Sequence, residues 1–179
     1  MTSGRTRVTH PLPLHHATRY GLHLRPITDD DMGFLTALYR STREDELNLV
    51  PWSEADKQAF IEMQFTAQHS HYQKHYPDAL WLVMEQAGRP IGRLYLERWG
   101  REHRIIDIAL MPEARGRGIG RAVLQDVMDE AARAGKQVGI HVEKTNPAMT
   151  LYHRLGFQQA EDKGVYDLMI WTVPAPVRA

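Results

Sequence analysis

The chain has 179 residues, with 22 Lys and Arg balanced by 22 Asp and Glu, ten His and no Cys. That length suits one domain with a substantial core. The neutral balance argues against a nucleic-acid binder relying on a general positive field, and the missing cysteines exclude disulfides, thiolate zinc sites and cysteine nucleophiles. No apolar run is long enough for a membrane span or shaped like a secretory signal, so a cytoplasmic location with no membrane partner is the expectation.

Residues 1–20 read as a flexible, Pro-rich leader in which His10, His15 and His16 are solvated. "LHLRPI" (22–27) alternates like a short strand. "TDDDMGFLTALYRST" follows with Thr28 or Asp29 as a cap and Met32, Leu35 and Leu38 at helical spacing. "PWSEADKQAFIEMQFTAQHSHYQKHY" predicts a second helix, capped at Ser53 with Asp56 three residues on, and with Phe60, Ile61 and Phe65 on one face. His69, His71 and His75 fall on it or just beyond, and no metal site is expected of them. The period then changes to two. "ALWLVMEQ" and "PIGRLYLERW" are strands joined by a hairpin turn at Gly88, and "HRIIDIALMP" is a third strand ended by Pro112.

"GIGRAVLQDVMDEAARAGK" is an amphipathic helix: Ile119, Val123, Val127 and Ala131 recur every four residues, Leu124 and Met128 widen the stripe, and Gly135 stops it. A strand "QVGIHVE" follows. "NPAMTLYHRLGF" is a short helix with Asn146 as cap, and "GVYDLMIW" is a closing strand ahead of a tail at 174–179. The order predicts one mixed α/β domain over 21–173 with a strand-helix-strand crossover.

The stretch "MPEARGRGIG" (111–120) carries the chemistry. A strand end, a glycine-rich loop and a helix start aim unpaired amides at one point, where partial positive charge favours an anion. Arg115 and Arg117 can add charge-assisted bonds. A pyrophosphate fits such a loop, but no Lys-Ser or Lys-Thr follows Gly120, and GxGxG past the middle of the chain does not match the dinucleotide pattern.

"RGRGIG" resembles the [QR]xxGx[GA] acyl-CoA loop of the GCN5-related N-acetyltransferase (GNAT) superfamily, matched by Arg115, Gly118 and Gly120. "NPAMTLYHRLGF" is similar to that family's closing Asn-to-Gly-Phe arrangement with its alanine shifted, and the pattern is nearest to the ribosomal-protein N-terminal acetyltransferase kind. The resemblance implies a mixed central sheet with splayed parallel strands, two N-terminal helices, a cofactor-binding helix and a short C-terminal helix. It implies acetyl-CoA held by Leu110, Met111, Arg115, Gly116, Arg117, Gly118, Ile119, Gly120, Arg121 and Asn146, and direct attack by an amine on the thioester.

Direct transfer requires a neutral amine, a polarised carbonyl and a proton for the thiolate. The resemblance assigns Tyr152 as general acid; packing beside Leu151, Leu155 and Phe157 is its alternative. Asn146 needs no role beyond capping. For the base, His141 stands five residues before Asn146, where the resemblance places a glutamate, and Asp107 is its rival, placed opposite a face of Ile106 and Ile108. Trp52, Phe60, Tyr72, Tyr76 and Tyr166 are candidates for acceptor selection, with Phe60 more simply core, and Glu44, Asp45 and Glu46 could attract a cationic amine. The expected acceptor is a small-molecule amine or a peptide or protein amino group. A silent acyl-CoA-binding module is the alternative, and fold analogy admits a homodimer.

Overall fold

A computed structural model describes residues 10–175. Among these, seven strands form one sheet: β1 (Leu22–Pro26), β2 (Leu80–Gln86), β3 (Arg89–Arg98), β4 (Glu102–Leu110), β5 (Gln137–Glu143), β6 (Gln158–Lys163) and β7 (Tyr166–Trp171), in spatial order β1-β2-β3-β4-β5-β7-β6. Only β4 and β5 run parallel, joined by the crossover helix α4 (Ile119–Arg133). The remaining helices are α1 (Met32–Ser41), α2 (Glu44–Asn48), α3 (Glu54–His75) and α5 (Met149–Leu155).

The apolar stripe of α4 is buried as its period predicts. Ile119, Val123, Val127 and Ala131 pack with Leu94, Leu96, Ile105, Val138 and Ile140 in one cluster, each large side chain contributing roughly 1.5–3 kcal/mol of transfer free energy. On the other face of the sheet, Leu35 and Tyr39 of α1 meet Ile61 and Phe65 of α3. Ser53 caps α3 by accepting from the Asp56 amide at 3.1 Å. The β2–β3 turn places Ala87 and Gly88 at φ 51° and 73°, the left-handed pair that a two-residue hairpin turn demands.

Two elements depart from the sequence reading. α2 is a single short turn of acidic residues with only Leu47 buried. β6 is an edge strand whose six residues are all exposed, so no alternation marks it. The short helix also begins later than "NPAMTL" suggests: Asn146 caps the turn ahead of it, its Oδ1 accepting from the Ala148 amide at 2.9 Å.

β4 and β5 pair only from Glu102–Gln137 to Ile105–Ile140. Beyond that register each strand keeps its outer neighbour and loses its inner one, so the sheet opens as a wedge. A bulge marks the fork. Leu96 pairs with Ile105 and Tyr95 with Asp107, leaving Ile106 as the extra residue. A bulge resets the alternation by one residue, so Ile105 and Ile108, rather than Ile106 and Ile108, share the core facing α4. Asp107 points to the α3 side.

The segment expected to be a flexible leader is docked where it is described, residues 10–20; residues 1–9 and the last four residues of the tail lie outside the described part. Leu12 and Ala17 are buried. The amides of His15, His16 and Ala17 all donate to the carboxylate of Asp126, a fully buried acid on α4, at 2.8–2.9 Å. His16 is not simply solvated: its Nε2 lies 2.8 Å from Asp129. The Arg98 guanidinium donates to the His10 carbonyl at 2.7 Å and to both oxygens of Glu130 on α4.

Glu130 also meets His103 Nε2 at 2.6 Å. Burial alone raises its pKa, but the bonds from His103 and Arg98 overcome this and hold it at about 2, against 4.5 ordinarily. Folding depresses this pKa, so the stabilisation is complete above 4.5 and is lost as the pH falls toward about 2. The expected loss is on the order of 2 kcal/mol. Urea titrations near pH 7 and near pH 3 should show a smaller acid-induced drop in Glu130→Gln than in the parent; equal drops would remove Glu130 as the acid-labile group.

Candidate active site

The loop between β4 and α4 holds most of the predicted binding residues in one place. Met111 extends the β3 pairing through a 2.8 Å bond from its amide to Ile91. Pro112 opens a tight turn, and Gly116 and Gly118 adopt φ 72° and 87°, with Gly118 capping α4. The left-handed backbone explains those two glycines. Gly120 is explained less by conformation, since a Cβ there would meet only a Leu110 methyl at 3.6 Å. The first amides of α4 lack intrahelical acceptors and face out of the loop.

Arg115 does not reach into open space. Its Nε donates to the Leu110 carbonyl at 2.9 Å and its Nη2 to Ser41 Oγ at 3.1 Å, bracing the loop against α1. Arg117 and Arg121 are exposed and make no ion pair among the described residues. Asn146 is exposed in the β5–α5 turn, committed to its cap.

At the wedge, α5 buries Tyr152, whose ring meets Phe157 edge-on at 5.4 Å. Its hydroxyl has no hydrogen-bond partner among the described residues. Burial, then the charge of Asp107, holds its pKa well above the usual tyrosine range, so it keeps its proton at neutral pH. Asp107 itself is locked. Arg93, 3% exposed, donates to both carboxylate oxygens at 2.8 and 3.2 Å, while Tyr72 on α3 donates at 3.3 Å and Gln68 accepts from Arg93 at 2.9 Å. Burial and the nearby carboxylate push the Tyr72 hydroxyl up as well.

A glycine-bent loop and helix start at the open end of two splayed parallel strands is the arrangement the resemblance implies, and Tyr152 stands buried on α5 beside it. Residues 35–157 match the Acetyltransferase (GNAT) family. The chain belongs to the GNAT family. Its fold is also that of the PaiA N-acetyltransferase from Thermoplasma acidophilum, solved in complex with coenzyme A, with a TM-score of 0.65 at 18% identity over 85% of this chain and 99% of that one. The putative acetyltransferase YncA of Salmonella typhimurium, solved with acetyl-CoA, gives 0.55 at 20% identity over 88% and 97%. Among curated proteins, the UPF0157 protein YqkA of Bacillus subtilis is 36% identical over 74 residues, 41% of this chain and 22% of that protein. The chain therefore aligns with about a fifth of that relative's length.

Within this GNAT domain the two candidate bases occupy separate environments. Asp107 shares the wedge with Tyr152 and Tyr72. His141 stands on β5 with its Nδ1 3.4 Å from Arg104, and burial followed by the Arg104 charge lowers its pKa. A guanidinium only donates, so Nδ1 accepts and neutral His141 carries its proton on Nε2. That tautomer leaves no free imidazole lone pair.

The expected acidic lure on α2 is largely neutralised, since Glu44 pairs with Arg40 and Glu46 with Arg43. Arg43 also reaches Glu143 at 3.3 Å, which accepts from the Tyr166 hydroxyl at 3.2 Å. Trp52 and Tyr166 are exposed, Phe60 is partly buried under Trp52, and Tyr76 rests against Tyr72. Arg93 and Gln68 were not anticipated. The signal was present: an Arg in "PIGRLYL" and an Asp in "IIDIAL" are opposite charges on adjacent apolar strands. Among the described residues, no helix is long and apolar enough to cross a membrane.

Proposed function

We propose that this protein is an acetyl-CoA-dependent N-acetyltransferase, acting on a primary amine of a small molecule, a peptide or a protein N-terminus. The observation that carries the reading is the wedge, because β4–β5 pairing stops at Ile105–Ile140 while both strands continue. It leaves strand-edge polar groups free to bond an amide-bearing chain, directly ahead of the anion-binding loop. CoA has that shape and charge: a pyrophosphate for the loop and an amide-bearing pantetheine for the strand edge. In this reading Leu110, Met111, Gly116, Arg117, Gly118, Gly120 and Arg121 receive it together with the backbone amide of Ile119, whose side chain is in the core, and Arg115 holds the loop in shape.

In the proposed reaction the amine nitrogen bonds to the acetyl carbon as the carbon–sulfur bond breaks. Tyr152 gives its proton to the departing sulfur. The ammonium proton leaves toward Asp107, with water between, because Arg93 and Tyr72 already occupy the carboxylate. The same locking of Asp107 and His141 by arginines favours one second reading, an acyl-CoA-binding module without turnover.

Isothermal titration with acetyl-CoA, CoA and NAD, followed by thiol release over polyamines, aminoglycosides, amino acids and short peptides, tests both. CoA-specific binding with thiol release for an amine is the expected result. Binding without release for any amine would favour the silent module, and no binding would overturn the acyl-CoA reading.

A further inference from the structure

A second feature lies beside the loop, between the docked segment and the start of α4. A cleft of about 470 Å³ is lined by His16, Arg19 and Tyr20 from that segment and by Gly118, Arg121 and Gln125 from the helix. Arg19 and Arg121 are both exposed and make no ion pair among the described residues. Arg25, Arg40, Arg43, Arg93, Arg98 and Arg104 each hold a carboxylate, whereas Arg19 and Arg121 line the cleft with their charge unpaired. The geometry points to a phosphomonoester site here, which receives the 3′-phosphate of CoA and makes the segment around residues 10–20 a specificity element for the donor. The inference rests on the acyl-CoA reading above.

Continuity and charge carry the argument. Gly118 belongs both to the pyrophosphate loop and to the wall of this cleft, so a ligand seated on the loop continues into it. A 3′-phosphate brings close to two negative charges, and two guanidiniums from opposite walls can engage its oxygens with charge-assisted bonds. The acids nearby are engaged by the docked segment. Both oxygens of Asp126 accept amides of His15, His16 and Ala17, and Asp129 faces His16 Nε2. The same bonds hold Arg19 in position, together with the Gln86 side chain, which donates to the Tyr20 carbonyl at 2.8 Å. Asp126 is thus a positioning residue: it binds no ligand and fixes the strap that does.

Calorimetry with CoA and 3′-dephospho-CoA on the full chain separates the possibilities. Loss of one charged hydrogen-bonding partner is expected to weaken binding about tenfold. The parent should bind CoA at least about tenfold tighter than dephospho-CoA, with a preference that shrinks as salt rises. Arg19→Ala, a change at an exposed position, should cut that ratio toward one while leaving dephospho-CoA affinity unchanged, and Arg121→Ala should cut it as well. Equal affinity of the parent for both ligands would overturn this site and leave the acyl-CoA reading standing. A preference that survives both variants would also overturn it, placing the phosphate elsewhere. If neither ligand binds, the acyl-CoA reading itself falls, and the site with it.

Discussion

Tyr152→Phe is expected to lower kcat by about 100-fold or more while changing acetyl-CoA affinity by less than about threefold. Tyr152 is 4% exposed and its ring is wedged against Phe157, yet its hydroxyl bonds to nothing among the described residues. Phe in its place keeps the packing against Phe157 and removes only the hydroxyl, so the melting temperature should hold. Burial and the Asp107 charge keep the proton on this hydroxyl near neutral pH, as the proposed acid role requires. A thiolate departing near it needs that proton at the moment the carbon–sulfur bond breaks. Steady-state kinetics, calorimetric affinity and a thermal melt on the same preparation decide the matter. Unaltered turnover would reduce Tyr152 to a packing residue.

What the sequence made legible were features written in periodicity and special backbone. The stripe of α4, the hairpin at Gly88 and the glycine-rich loop ahead of α4 follow from spacing and residue type, and the resemblance carried by that loop implied the splayed strands. Other features depend on partners remote in the chain. The bulge at Ile106 shifts which isoleucines face the core, yet nothing in "HRIIDIAL" distinguishes Ile105 from Ile106 without the β3 register. The docking of residues 10–20 was invisible for a related reason. Its anchor is a side chain binding backbone amides, which every sequence possesses, and Asp126 reads as one polar residue on an amphipathic helix. Its burial at 0% accompanies the docked segment, whose His15, His16 and Ala17 amides bond its carboxylate. Arg93 and Asp107 were separately readable as charges in apolar strands, and their pairing explains how both tolerate burial. That pairing shifts the question of the base from which residue is present to how a carboxylate already holding a guanidinium can relay a proton.

Gly118→Val is expected to weaken acetyl-CoA binding at least 100-fold, and the cause combines two effects. Gly118 sits at φ 87°, where a β-branched side chain is strained by roughly 1–2 kcal/mol. Its Cβ would lie 2.5 Å from the Tyr20 hydroxyl, so Tyr20 must swing aside or the loop must move. Either response re-aims the amides at the start of α4 and disturbs the strap that borders the cleft. The two effects are separable. Adding Tyr20→Ala to Gly118→Ala removes the collision and keeps the backbone strain, so affinity should recover only in part. Gly120→Ala is the matched control: its φ is not left-handed and its Cβ meets Leu110 at an ordinary 3.6 Å, so binding should stay within about threefold. Circular dichroism and melts confirm that each variant is folded before the titration is read. If Gly118→Val and Gly120→Ala bind alike, the loop does not grip the donor through the backbone at Gly118. The wedge would then hold the ligand chiefly by pantetheine contacts with the free edges of β4 and β5.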